Sequence, residues 1–246
     1  MGRPRPTRWL FALAVWLGIA SPAAAGDLRL EPVSLALLPG ETAVTLWLSN
    51  TGRQPLQAQV RLFSWTQDGG GEVLLPTRDM AVSPPLLEVP PFGRQRVRVV
   101  RLAAGAPATE TAYRLVVDEL PHAASADDAV DGSLLRYSIP VFLLPAPPPA
   151  GPQLSARIDE GAAGRRLLRL ENSGDRHARI ADLSYVGTGG RRHALAPNLA
   201  GYVLAGRYKH WPLPDDAGRP PYGRFEAEVN GQPQVLVPQA DLFTGR

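Results

Sequence analysis

The chain has no cysteine. Disulfide staples, thiol nucleophiles and thiolate metal sites are therefore excluded, and packing alone must hold the fold. Amphipathic helix is missing too: beyond the leader, no stretch free of proline and glycine keeps an i, i+3, i+4, i+7 apolar pattern for three turns. The four histidines, His122, His177, His193 and His210, are scattered without metal-ligand spacing. There is no G-x-S-x-G turn, and no glycine-rich loop opens a helix. Asp127, Asp128, Asp131 and Gly132 follow a calcium loop only in part, because Ala129 takes a ligand position and no glutamate closes the loop. These absences predict a protein that is not an enzyme and needs no cofactor or metal. Charge is also scarce: the formal net value is +3, and Arg3, Arg5 and Arg8 belong to the leader. Arg94, Arg96 and Arg98 share one strand face but lack interleaved aromatics, so they read as a solvated sheet face and not a nucleic-acid surface.

What is present begins with a leader. Its three arginines precede the apolar run Trp9–Ala20, then Ser21-Pro22, then the small-residue site Ala23-Ala24-Ala25. That order predicts a secretory signal peptide over residues 1–25, cleaved after Ala25. The apolar run is shorter than the ~20 residues of a membrane span. No later stretch is long and apolar enough to cross a bilayer, so no membrane insertion is expected after cleavage. About 220 residues remain, room for two domains of ordinary size.

The chain holds 26 prolines and 24 glycines, spread between short apolar runs, the punctuation of many strands. Leu28–Leu38, Thr42–Ser49, Leu56–Trp65, Glu72–Leu75, Met80–Val89, Val97–Leu102, Ala112–Leu120 and Leu134–Leu144 read as strands or strand pieces. Within them, Ser83-Pro84-Pro85 must be edge or connection, because proline cannot donate to a ladder. His122–Gly132 is polar and reads as a mobile loop. The proline-rich run from Pro145 to Pro152 reads as an elbow. A second set follows, with Leu154–Ile158, Arg166–Glu171, Ala178–Val186, Leu199–Leu204, Arg207–Pro212, Phe225–Val229 and Gln234–Val237. Fold class is therefore all-β: two immunoglobulin-like sandwiches, residues 26–145 and 153–246, joined by a linker at 146–152.

The stretches TLWLSNTG (Thr45–Gly52), SPPLLEVPPFGRQRVRV (Ser83–Val99), ETAYRLVVDELP (Glu110–Pro121) and LRYSIPVFLLP (Leu135–Pro145) resemble the PapD-like periplasmic pilus chaperones of chaperone–usher systems. LENSGDRHARI (Leu170–Ile180), GYVLAG (Gly201–Gly206) and VNG (Val229–Gly231) extend the likeness into the second half. The YRL…DELP wording and the absence of cysteine are most similar to the archaic branch, which serves spore-coat-U-type subunits. The resemblance implies a periplasmic protein that captures pilus subunits lacking their last strand, lends its own strand to the gap, and passes them to an outer-membrane usher. Strand lending of this kind is a known form of β-augmentation.

On that reading Ser133–Leu143 is the donor strand, with Leu135, Tyr137, Ile139, Val141 and Leu143 on one face at period 2. Three or four such side chains would supply roughly 5–12 kcal/mol before association costs. Aspartate at Tyr137 or Ile139 is expected to abolish capture and leave the fold intact. The family also implies a basic pair that grips the client's C-terminal carboxylate. The corresponding positions fall near Ser34 and Ser138, and neither is basic. Arg114, Arg98 and Arg136 are the candidate anchors in their place, because a guanidinium fork suits a carboxylate. The competing reading is an exported structural or adhesive protein of tandem sandwiches that keeps both domains closed.

Overall fold

The computed structural model describes residues 27–121, 134–215, 217 and 222–239. The leader and its cleavage site, and the His122–Gly132 loop with its aspartates, lie outside the described residues.

The described chain is built of strands, with a single 3-10 turn at Ala162–Gly164 and no α-helix. The first ten strands are β1 (Leu28–Glu31), β2 (Leu35–Leu37), β3 (Ala43–Asn50), β4 (Leu56–Asp68), β5 (Gly71–Pro76), β6 (Met80–Ser83), β7 (Leu86–Val89), β8 (Arg94–Arg101), β9 (Thr111–Leu120) and β10 (Arg136–Leu143). They form two sheets. One runs β1-β3-β8-β6; the other runs β2-β10-β9-β4, with β5 and β7 both on the far edge of β4. Period-2 patterning explains the layering. Leu46, Leu48, Val97 and Val99 face inward from one sheet, Val60, Leu115, Val117 and Val141 from the other, and all are buried in one apolar cluster.

Two segments that read as single strands in sequence each serve both sheets. Leu28–Leu38 breaks at Pro32, so β1 pairs antiparallel with β3 and β2 pairs parallel with β10. Met80–Val89 breaks at Pro84-Pro85, so β6 pairs with β8 and β7 with β4. A proline without an N–H interrupts a ladder, and the chain crosses the sandwich at that interruption.

The other seven strands are β11 (Leu154–Glu160), β12 (Arg166–Asn172), β13 (Ala178–Val186), β14 (Arg192–Val203), β15 (Arg207–Pro212), β16 (Arg224–Val229) and β17 (Gln232–Leu236). They make a β11-β12-β15 sheet and a β14-β13-β16-β17 sheet around Leu168, Leu170, Ile180, Val203, Trp211 and Phe225. The β16–β17 turn is Asn230-Gly231, both at positive φ, as a two-residue hairpin requires.

Each sandwich ends a strand on a buried asparagine followed two places later by glycine. Asn50 accepts the Gly52 N–H and donates to the carbonyls of Gln54 and Val89. Asn172 accepts from Gln153 and Gly174 and donates to the Arg176 and Val203 carbonyls. Gly174 cannot carry a side chain: a Cβ there would stand 2.2 Å from the Gly151 carbonyl oxygen. The elbow is further held by Asp175, whose carboxylate accepts the N–H groups of Ala150 and Gly151. Those two bonds hold its pKa below the ordinary carboxylate range.

A candidate site: the open edge of one strand and the cleft at its end

β10 is paired along its whole length with β9. On its other side β2 covers only Val141, Phe142 and Leu143. Among the described residues no strand lies beside 136–139 on that side. The direction of each backbone group follows from two hydrogen bonds. The Leu135 carbonyl accepts from Glu119 of β9, and the Leu144 N–H donates to Leu37 across the β2 side. With an unbroken register, odd residues therefore bond β9 and even residues face the other edge. Arg136 and Ser138 point their N–H groups out of the open edge. Pro140, which has none to offer, falls on the same edge and costs the β9 ladder nothing.

The five apolar residues of the donor row are divided. Ile139, Val141 and Leu143 are buried in the core of their own sandwich. Leu135 and Tyr137 are half-buried, and the Tyr137 hydroxyl donates to the Leu28 carbonyl at 2.6 Å. Burial first, and Glu119 second, raise the pKa of that hydroxyl. An aspartate at 139 would sit in the core, so the expectation that such a variant stays folded is corrected here.

Of the three candidate arginines, one lies on the wrong sheet and two are engaged elsewhere. Arg98 is exposed on β8, in the sheet opposite β10. Arg136 and Arg61 both bond the Asp118 carboxylate. Burial pushes that carboxyl up, but the two arginines outweigh it and hold the pKa below its usual range. Arg114 is buried, its guanidinium 3.6 Å from the Trp65 ring centroid and 3.4 Å from Glu72. Desolvation lowers its pKa, against the pull of Glu72.

Arg114 belongs to the contact between the two sandwiches. Trp65, Ala112 and Phe142 from the first pack with Tyr202 and Leu204 from the second. The Gln67 amide spans the gap twice, donating to the Tyr202 carbonyl at 2.7 Å and accepting the Leu204 N–H at 2.9 Å. Glu72 also pairs with Lys209. The Glu110 carboxylate, almost wholly buried, takes both the backbone N–H and the ring Nδ1 of His177 at 2.8 Å. At the β4–β5 turn Gly70 lies so close to His210 that a Cβ would stand 2.3 Å from its Nδ1. Its φ of 78° is one that glycine adopts freely.

Between the sandwiches lies a cleft of about 540 Å³, lined by Val33, Ser34, Arg176, His177, Arg179, Tyr202, Asn230 and Gly231. Ser34 precedes Leu35, the β2 residue paired with Val141, so the cleft opens where β2 stops and the free edge of β10 begins. In sequence the missing basic pair falls near Ser34 and Ser138, and the candidate replacements Arg114, Arg98 and Arg136 all lie in the first domain. Arg176 and Arg179, which reach the same place as Ser34 from the second domain, are not among them. Arg176 is exposed and Arg179 half-exposed, and among the described residues neither guanidinium has an acidic partner. The signal available in sequence was the basic run Arg176-His177-Ala178-Arg179, just after the Asn-Ser-Gly turn.

Comparison with known proteins bears on this arrangement. Residues 27–148 match the family model described as pili and flagellar-assembly chaperone, PapD N-terminal domain. No curated protein matches the chain. Among solved structures, a chain of the CsuC–CsuE chaperone–tip adhesion subunit pre-assembly complex from the archaic chaperone–usher Csu pili of Acinetobacter baumannii superposes with a TM-score of 0.70. It is 22% identical, over 87% of this chain and 99% of that one. The Pseudomonas aeruginosa CupB2 chaperone gives a TM-score of 0.59 at 18% identity, covering 84% and 97%. A chain of the Salmonella enterica SafA pilin–SafB chaperone complex gives 0.60 at 17%, covering 87% and 98%. At these identities the likeness is one of fold.

Proposed function

The chain belongs to the PapD-like family of pilus chaperones through residues 27–148, and on that premise we propose that it holds strand-deficient pilus subunits by lending them the open edge of β10. The observation that carries the reading is the stretch 136–139, which among the described residues pairs with β9 on one side and with no strand on the other. An open edge invites a foreign strand. Here it presents the N–H groups of Arg136 and Ser138 and the carbonyls of the same two residues, while the parallel register with β2 commits the Pro140 carbonyl to the Leu35 N–H. Leu135 and Tyr137, the two members of the apolar row that keep some exposure, would meet the client's groove. Two such side chains contribute no more than about 3–6 kcal/mol before association costs. Backbone pairing and a charged anchor must therefore carry more of the affinity than a row of three or four apolar side chains would leave to them.

The anchor is assigned to Arg176 and Arg179 beside Ser34. A client's terminal carboxylate at the end of the added strand would meet two cleft-lining arginines that have no acidic partner among the described residues. The protein is taken to work in the periplasm after removal of residues 1–25, with the client subunit and an outer-membrane usher as successive partners.

The direct test is co-production with the subunits exported beside it. Wild-type protein is expected to protect a subunit from degradation and to co-purify with it one to one. Ser138→Pro removes an N–H from the open edge alone, as Pro140 already does, and should abolish co-purification while the protein stays folded. Undiminished capture by that variant would remove β10 as the lent strand. Equal survival of the subunits without the protein would favour a structural or adhesive role.

A further inference from the structure

The outer face of the β1-β3-β8-β6 sheet collects positive charge in rows. The pairing registers set Arg29, Ser49 and Arg94 across one row, Glu31, Trp47 and Arg96 across the next, and Thr45, Arg98 and Ser83 across a third. Arg29, Arg94, Arg96 and Arg98 are all exposed. Their inward-facing neighbours Leu28, Val97 and Val99 do the packing, so the sandwich does not need the arginines. Among the described residues none of the four has an ion-pair partner, and Glu31 is the one acid in these rows. The Arg94 guanidinium lies 3.7 Å from the Trp47 ring centroid, so an aromatic does stand among these arginines. Its face is already covered.

Like charges on one sheet face repel, and among the described residues Glu31 is the one acid in these rows to set against four arginines. We propose that this face docks an extended acidic protein segment that carries carboxylates at every second residue. Arg94, Arg96 and Arg98 recur roughly 6.7 Å apart, the repeat of alternate residues in any extended chain. Carboxylates at the same pitch could each meet one guanidinium fork. Trp47 holds the first fork in place by stacking. Two other anionic partners fit less well. Single-stranded nucleic acid needs an uncovered aromatic face on which to stack a base, and Arg94 takes that of Trp47. Firm seating on an anionic membrane adds apolar side chains projecting beyond the charges, and apart from Trp47, which Arg94 covers, the rows hold Ser49, Thr45 and Ser83. The surface lies on the sheet opposite β10, so it is independent of subunit capture.

The test uses the whole mature protein and a fluorescein-labelled peptide of about twelve residues in which glutamate and threonine alternate. A peptide of the same composition with its glutamates in one block, an oligothymidylate of similar length and vesicles containing phosphatidylglycerol serve as competing probes. The alternating peptide is expected to bind most tightly, and to weaken as salt screens the exposed pairs. Arg94→Gln/Arg96→Gln/Arg98→Gln should bind it about ten-fold or more weakly, the sum of three modest exposed pairs, with subunit co-purification unchanged. Equal binding of the block peptide, tighter binding of the oligonucleotide or vesicles, or full affinity in the triple variant would each overturn the proposal. The probe comparison needs only wild-type protein, so it stands whether or not the triple variant folds.

Discussion

The imidazole of His177 lies flat on the ring of Phe142, with centroids 3.6 Å apart and planes 5° from parallel. Phe142 stands on β10, the strand with the open edge. His177 stands in the second sandwich and lines the cleft. One stacked pair thus joins the lent strand, the contact between domains and the basic cleft. Trp65 and Tyr202 pack around it, and Glu110 fixes the imidazole through its Nδ1.

Phe142→Ala should therefore loosen the elbow as well as the strand. A buried phenylalanine truncated to alanine costs about 3–5 kcal/mol, and this one sits between two domains. Urea unfolding is expected to show a stability loss in that range. X-ray scattering should show a broader distribution of interdomain angles. A compact, unchanged scattering profile would mean that Gln67 and the Arg114–Glu72–Lys209 chain fix the angle without the aromatic contact.

Asn172→Ala removes a side chain that satisfies backbone groups of two turns and of β14. Leaving buried donors and acceptors unpaired costs about 1–3 kcal/mol. The expected loss lies there, measured by denaturation, and faster exchange of the Gln153 and Gly174 amides should accompany it. Asn50→Ala should do the same in the first sandwich.

Much of this was legible beforehand. Alternation in Leu56–Trp65 gave a central strand, because strands packed against a core on one face are written at period 2. Ala112–Leu120, by contrast, read as a strand from its apolar run, and it is buried on both faces from Ala112 to Val117. Asn230-Gly231 gave its hairpin from turn chemistry alone. The two strand exchanges at Pro32 and at Pro84-Pro85 were not legible, since a proline marks a break in pairing without saying which sheet receives the chain next. The donor row shows another limit. Periodicity put Ile139, Val141 and Leu143 on one face, but whether that face serves its own core or a guest is decided by what packs on it. The cleft arginines were missed because Ser34 and Arg179 are brought together only by the docking of one sandwich on the other.

Acid should weaken the β4–β9–β10 side of the first sandwich through Asp118. Its pKa is depressed in the folded state by Arg136 and Arg61. A depressed carboxylate contributes stability that is fully present above its unfolded pKa, about 3.9, and is lost as pH falls through the lower folded value. Arg61 and Arg136 are largely exposed, so the contribution is small, below about 1 kcal/mol. Asp118→Asn should be slightly less stable than wild type near neutrality, with the difference closing in acid. An undiminished difference at the lowest pH would assign the loss to something other than the carboxylate charge.

The anchor assignment makes the sharpest demand. A client carboxylate held by Arg176 and Arg179 is recognised by its charge, so the effect of removing the arginines must depend on that charge. A charge-assisted hydrogen bond contributes about 1.5–3 kcal/mol, or roughly ten- to a hundred-fold in affinity. Arg176→Ala/Arg179→Ala should weaken capture of a subunit, or of a peptide carrying its last strand, by about that factor. Amidation of the client C-terminus should weaken binding to wild-type protein by a similar factor. It should add little in the double variant, since each change removes one half of the same contact. Titration of both proteins with free-acid and amidated peptides completes the cycle. Independent, multiplicative losses would show that the arginines act elsewhere than on the carboxylate, and the cleft beside Ser34 would lose its assigned role.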